Sequence, residues 1–194
     1  MQFLFPTVIH QVPVLDFDQD LCITVVNALK DEEPVGVHKS NVGGWQSQFV
    51  LPKQGDFFTE LIIKTLSDYF FGQKSFKKFN LNLHGYWVNI NPPGASNNMH
   101  NHPGCDWAGV IWIKTNSESG SIAFRNPTGF SEGKILDLYD DEFAAQNGLY
   151  YDRHFSTPVG SCLLFPSSLD HSVSLNESNE DRISISFNLD ANPI

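Results

Sequence analysis

The residues of this chain best suited to chemistry are histidines at two places. His100 and His102 stand two apart in Met99-His-Asn-His-Pro103, and His171 follows a Phe-Pro-Ser-Ser turn that begins at Phe165. Side chains two apart on a strand point to the same side, so His100 and His102 project together and one metal ion can be held by both. His171 opens a later strand, and in a jelly roll two strands distant in sequence can lie side by side. Three neutral imidazoles then make one face of a coordination sphere and leave positions open for substrate and oxygen. A His-x-His pair alone is equally compatible with a polar loop that bonds its own backbone. A second group lies eleven residues past His171, in Asp181-Arg-Ile-Ser-Ile-Ser-Phe-Asn188. By the period of two, Arg182 and Ser184 share one strand face while Ile183, Ile185 and Phe187 take the other. Turned into a barrel, an arginine and a serine are costly unless they bind an anion; a carboxylate held bidentately by Arg182 and touched by the Ser184 hydroxyl satisfies both. The competing reading is an edge strand with both side chains in water.

The elements that must position these groups follow from the hydrophobic pattern. Residues 16–32 read as a helix, with Asp16 and Asp18 as candidate caps and Leu21, Val25, Ala28 and Leu29 at helical spacing. Residues 55–71 read as a second, with Phe58, Leu61, Ile62, Leu66, Tyr69 and Phe70 repeating at three and four. These two helices are expected to cover one face of a sheet. Beyond Phe79 the period changes to two, in short runs at 81–90, 107–114, 121–125, 149–154, 161–165, 171–175 and 182–189, broken by Gly, Pro, Asn and Ser. Regular short strands without intervening helices argue antiparallel sheets. The expected fold is mainly β with N-terminal helices packed outside a jelly roll, or double-stranded β-helix, as in cupin-like barrels. Residues 1–78 supply helical support and early strands, and 79–190 the jelly-roll core, of one domain spanning 1–194. The acidic stretch 137–148 reads as a solvated insertion of one or two helical turns.

Composition bounds the partners. In 194 residues, 41% are hydrophobic and 16 are Phe, which is the make-up of a packed globular chain. With 22 Asp+Glu against 12 Lys+Arg the formal charge is -10, which repels phosphate backbones and anionic lipid, so neither nucleic acid nor membrane is an expected partner. Cys22, Cys105 and Cys162 are too few and scattered for a disulfide framework. No basic leader and no apolar run of about 18 residues is evident, so a soluble, untargeted protein of the reducing cytoplasm is expected.

The order Gly-Tyr-Trp-Val-Asn-Ile (85–90), His-Asn-His-Pro-Gly (100–104), Ala-Gly-Val-Ile-Trp-Ile (108–113), Gly-Ser-Ile-Ala-Phe-Arg (120–125), Gly-Ser-Cys-Leu-Leu-Phe-Pro-Ser (160–167), His171 and Arg-Ile-Ser-Ile-Ser-Phe-Asn (182–188) resembles the Fe(II)- and 2-oxoglutarate-dependent dioxygenases. It is most similar to their prolyl-hydroxylase-like branch and to bacterial and phage members with a His-x-His-Pro-Gly element. The resemblance implies a double-stranded β-helix, an iron held by a His-x-Asp/Glu pair plus a distal His, and an Arg that pairs with the far carboxylate of the cosubstrate 2-oxoglutarate. Carried over, His100 matches the first ligand, His171 the distal ligand and Arg182 the cosubstrate arginine, with Ser184 completing an Arg-x-Ser element. The departure is His102, where the family usually has a carboxylate. Either the site uses three histidines or Asp106 takes the third position, and the two-residue spacing favours His102. Asn89 is a candidate cosubstrate contact and Arg125 a candidate substrate contact; a structural Asn and a surface Arg are the competing readings. Trp87, Trp107 and Trp112 read as core or pocket wall. His10, His38, His84 and His154 carry no spacing signal.

The implied activity is hydroxylation of an amino-acid, peptidyl or small-metabolite substrate with O2. Two rivals are a cupin-like three-histidine metalloenzyme that needs no 2-oxoglutarate, against which Arg182 and Ser184 argue, and a non-catalytic β-sandwich binding module. Oligomeric state leaves no trace in the sequence.

Overall fold

The computed structural model describes residues 6–71, 73, 76–128 and 134–194. Its elements in chain order are β1 (His10–Pro13), α1 (Gln19–Glu32), β2 (Asn41–Val42), β3 (Trp45–Gln46), α2 (Phe57–Phe71), β4 (Phe79–Asn91), β5 (Ser96–His100), β6 (Trp107–Lys114), β7 (Ile122–Arg125), α3 (Asp141–Asn147), β8 (Asp152–Phe155), β9 (Ser161–Pro166), β10 (His171–Val173) and β11 (Arg182–Pro193). They form two antiparallel sheets, one ordered β1-β9-β6-β11-β4-β3 and the other β2-β5-β10-β7-β8. This is the expected jelly roll with helices outside it.

Both helices start at an aspartate whose side chain caps them, Asp18 as one of the two expected candidates and Asp56 as a cap the sequence reading did not name. Asp18 accepts the Leu21 N–H at 3.0 Å, so α1 begins later than Asp16, whose positive φ of 55° puts it in the preceding turn. Asp56 accepts the Thr59 N–H at 2.8 Å, and its other oxygen accepts the Tyr86 hydroxyl at 3.0 Å, so one carboxylate caps α2 and ties it to β4. Phe58, Ile62, Leu66 and Phe70 of α2 and Cys22 and Val26 of α1 pack on the outer face of the six-stranded sheet, against Val88, Ile111, Ile185 and Phe187. The acidic stretch carries the short, exposed α3, capped by Asp140 and ended by Gly148 at φ 68°.

The inner face of the same sheet meets the five-stranded sheet across a second core of Ala108, Val110, Trp112, Ile122, Phe124, Leu163 and Phe165. Strand β11 divides as its period of two predicts: Ile183, Ile185 and Phe187 go to the helix side, and Arg182, Ser184 and Ser186 go inside. Strands β2 and β3, two residues each, are too short to show a period. Residues 37–50 form a strap along one open side of the roll, where β2 pairs with β5 and β3 pairs with β4, while the Ser47 N–H donates to the Val88 carbonyl at 3.0 Å.

One close approach fixes this framework. Gly109 of β6 sits directly opposite Phe187 of β11, and a Cβ at Gly109 would lie 2.1 Å from the phenyl ring. Phe187 is fully buried, so the ring has nowhere to go. Gly109→Ala is expected to cost about 1–3 kcal/mol by overpacking. A chemical-denaturation midpoint equal to that of the wild type would contradict this packing.

Candidate metal and cosubstrate site

His171 and His100 meet because β10 lies next to β5, with the two residues paired directly in register. His100 ends its strand. His102 falls two residues beyond, in the loop after the strand and not on the strand as the spacing suggested, and its N–H donates to the Ser167 carbonyl at 2.8 Å. The Ser167 N–H donates in turn to the Asp106 carbonyl, and the Ser167 hydroxyl donates to the Cys105 carbonyl. The turn after β9 therefore clasps residues 102–106 and aims His102 back at its partners. One nitrogen from each of His100, His102 and His171 lies within 4.8 Å of the others.

Hydrogen bonds set the tautomers of two of these rings. His100 Nδ1 lies 2.7 Å from the Asn98 carbonyl and His171 Nδ1 lies 2.9 Å from the Leu169 carbonyl. A carbonyl can only accept, so both Nδ1 atoms carry the proton and both Nε2 atoms present a lone pair, the arrangement metal-binding histidines adopt. His102 Nε2 lies 3.3 Å from His171 Nε2. Two ring nitrogens that close need a proton or a metal ion between them. His171 is packed against the Phe165 and Phe124 rings, and Trp87 lies over His102 with centroids 5.4 Å apart. Burial disfavours the charged form of all three rings, holding His102 down to about 3 and His171 to about 4, with His100 also lowered. All three are neutral at pH 7, as ligation requires.

On the opposite wall Arg182 is 1% exposed and, among the described residues, faces no carboxylate. Its Nη1 donates to the carbonyls of Ser119 and Ser174, the latter at 3.0 Å, while Nη2 is buried with no partner. The free donor is thus Nη2, and the bidentate fork anticipated from the sequence has one arm already engaged by backbone. Burial lowers the guanidinium to about 10, which still leaves it charged at neutral pH. Ser184 lines the same cavity, and Asn89 sits across from it on β4. The Asn89 Nδ2 donates to Ser186 Oγ at 3.1 Å and leaves Oδ1 buried without a partner. A half-turn of that carboxamide accepts from the Ser186 hydroxyl and points the amide donor inward. The cavity is narrow, with a volume of about 40 Å3, and no carboxylate lines it among the described residues.

Two other candidates lie elsewhere. The Asp106 carboxylate accepts the Ala191 N–H at 3.2 Å, at the far end of β11, and is absent from the histidine group. Arg125 is exposed at the end of β7, 3.8 Å from the Asp152 carboxylate, outside the cavity. Trp87 and Trp112 line the cavity, whereas Trp107 packs with the outer core. The tilted contact of Trp87 with His102 was not anticipated. Its signal was parity, since 87 and 89 share a strand face.

The two antiparallel sheets thus set three imidazoles and a buried arginine around one cavity. A profile of the family described as "Putative 2OG-Fe(II) oxygenase" matches residues 85–188, over half of the chain, and the chain belongs to that family. Its cofactors are accordingly Fe(II) and the cosubstrate 2-oxoglutarate, and its reaction uses O2 and an organic substrate. No curated protein sequence matches the chain. Among solved structures, the viral collagen prolyl hydroxylase of Paramecium bursaria Chlorella virus-1, in complex with 2-oxoglutarate, is 13% identical with a TM-score of 0.61, covering 93% of this chain and 94% of that one. A Pseudomonas putida prolyl-4-hydroxylase is 12% identical with a TM-score of 0.57, covering 97% and 94%. The 2-oxoglutarate-dependent carbocyclase SnoK from nogalamycin biosynthesis is 10% identical with a TM-score of 0.63, covering 94% and 79%. These likenesses establish the shared fold. No helix among the described residues is long and apolar enough to cross a membrane.

The neutral rings make the metal-free protein sensitive to acid. A histidine whose folded value lies below the ordinary 6.5 contributes stability that is fully present above about pH 6.5 and is lost as the pH falls through about 4 for His171 and about 3 for His102. Between pH 6.5 and 4 the metal-free wild type should therefore lose more stability than the His102→Asn/His171→Asn double variant. Parallel denaturation curves for the two proteins would contradict the assignment of buried neutral rings.

Proposed function

We propose that His100, His102 and His171 hold the Fe(II) through one ring nitrogen each, that Arg182, Ser184 and Asn89 hold the far carboxylate of 2-oxoglutarate, and that the enzyme hydroxylates its substrate. The observation that carries this reading is the pairing, in one cavity that no carboxylate lines among the described residues, of three converging neutral imidazoles with a buried guanidinium whose Nη2 has no partner among them. An unpaired buried cation is costly, and a bound dianion removes that cost. The residues present therefore fit both groups.

In this reading bound Fe(II) with 2-oxoglutarate supplies the oxidising chemistry, in which O2 is reduced, the 2-oxo acid is decarboxylated to succinate and a substrate C–H bond is hydroxylated. The chain's own residues do the positioning. The Asn98 and Leu169 carbonyls fix two rings with lone pairs inward, and Trp87 and the Ser167 clasp orient the third. Arg182 Nη2 and the Ser184 hydroxyl anchor the far end of the 2-oxo acid, so that its near end is directed to the imidazoles. The packed core of Val110, Phe165 and Ile122 keeps the inner wall dry. Substrate approaches along the open groove between the strap and the histidines, whose walls include Phe49, Trp87, Gln46 and Gln48. An amino-acid side chain, free or peptidyl, or a small metabolite is the substrate class of this reading.

Site-directed variants test the assignment. His171→Ala and His102→Ala should each lose most bound iron by elemental analysis while keeping a wild-type circular dichroism spectrum, and Asp106→Ala should retain it. Full occupancy in His171→Ala, or a larger loss in Asp106→Ala than in His102→Ala, would overturn the ligand set. In anaerobic calorimetry of the metal-loaded protein, Arg182→Lys should weaken 2-oxoglutarate binding by about 10- to 150-fold, or about 1.5–3 kcal/mol. One ammonium cannot span both backbone carbonyls and the ligand as the guanidinium does. Ser184→Ala should cost about 1 kcal/mol. No binding by the wild type would promote the three-histidine enzyme without 2-oxoglutarate.

A further inference from the structure

The three histidines are not held alike. His100 and His171 sit on paired strands, whereas His102 stands in the largely exposed loop 101–106. At Gly104, with φ 96°, a Cβ would meet nothing within 4 Å among the described residues, so packing does not fix the loop there. Hydrogen bonds fix it instead. The Asp190 carboxylate accepts the Asp106 N–H at 3.0 Å and the Asp106 carboxylate accepts the Ala191 N–H at 3.2 Å, so two aspartates exchange bonds between the loop and the end of β11. The Asp106 carbonyl accepts the Ser167 N–H at 3.0 Å, and the Ser167 carbonyl accepts the His102 N–H at 2.8 Å, which carries the tie to the imidazole. The other Asp190 oxygen lies 2.8 Å from His84 Nε2. That bond, and then the one from the Asp106 N–H, hold the Asp190 carboxyl below its ordinary range, so it is ionised and only accepts, and His84 Nε2 carries the proton. His84 reaches Asp190 through a β-bulge: the β4–β11 register slips between Asn188 and Leu189 and leaves His84 opposite no residue of β11. A bulge gives up a ladder bond to re-aim a side chain, and bulges gather beside active sites.

Resting on the ligand set proposed above, we infer that Asp190, steadied by His84, is a positioning residue for His102. It fixes the loop through the Asp106 N–H and so presents the third imidazole to the ion. The role is indirect, since Asp190 lies outside both the histidine group and the cavity. The backbone N–H of residue 106 carries the tie, so Asp106→Ala keeps it, and with it the metal.

The test is a cycle of Zn(II) affinities, read on the full chain by competition with a chromophoric chelator. Removing a side chain that orients a metal ligand costs about 10- to 100-fold in affinity, and Asp190→Ala should fall in that range. Asp190→Asn, whose amide oxygen still accepts the Asp106 N–H, should recover most of the loss. In the His102→Ala background, Asp190→Ala should change nothing further, because no third imidazole remains to be placed. A merely structural aspartate would lower the denaturation midpoint in both backgrounds and leave Zn(II) affinity unmoved. Unchanged affinity in Asp190→Ala, an equal loss in both backgrounds, or no recovery by Asn would each overturn this inference and leave the proposed ligands standing. If circular dichroism shows Asp190→Ala unfolded, His84→Ala takes its place in the same cycle, with the same pattern expected at smaller size and the same results overturning it. Wild-type affinity in His102→Ala would overturn both this inference and the ligand set.

Discussion

A guanidinium buried between two β-sheets without a carboxylate to neutralise it is the constraint around which this molecule is arranged. Arg182 is held in place by two backbone carbonyls, which satisfy Nη1 and leave its charge uncompensated. Taking such a group out of water costs several kcal/mol, and a fold tolerates that only where something supplies the missing partner. The ten excess negative charges of the chain are elsewhere, since no acid lines the cavity among the described residues. The nearest polar groups, Ser184, Asn89 and Trp112, are set in a row by strand pairing, and each is neutral. The cavity is thus a positive, donor-rich space closed on one side by imidazoles that are themselves neutral.

The same electrostatics bears on the third imidazole. Where relatives of the resembled family usually carry an acid, His102 adds no negative charge, so an ion held by His100, His102 and His171 keeps its full positive charge toward the cavity. A dianionic 2-oxo acid then meets positive charge at both ends, the metal at one and Arg182 at the other. The rival acid, Asp106, is tied down elsewhere. Asp106 bonds to Ala191 and its N–H donates to the Asp190 carboxylate at 3.0 Å, which binds it to the last residues of β11.

Much of this was legible in the sequence because it rests on local period. The alternation along 182–188 separates the inner Arg182 and Ser184 from the outer Ile183, Ile185 and Phe187, and the cap at Asp18 marks the start of α1. Other features depend on pairings that no local pattern encodes. That β10 lies beside β5 with His171 opposite His100 is a matter of global topology. The strands of 37–50 are two residues long and too short to show a period, yet they form the wall facing the histidines. His102 reached the cluster through the Ser167 clasp and not through strand geometry, and the use of Arg182 Nη1 by Ser119 and Ser174 depends on loops whose positions only the fold sets.

The most direct test of the account is an anaerobic crystal structure of the protein with Fe(II) and 2-oxoglutarate, with the iron located by its anomalous signal. The account places the ion within bonding distance of one nitrogen of each of His100, His102 and His171, and the far carboxylate of 2-oxoglutarate against Arg182 Nη2. An ion coordinated by Asp106, or a carboxylate that leaves Nη2 unpaired, would contradict it.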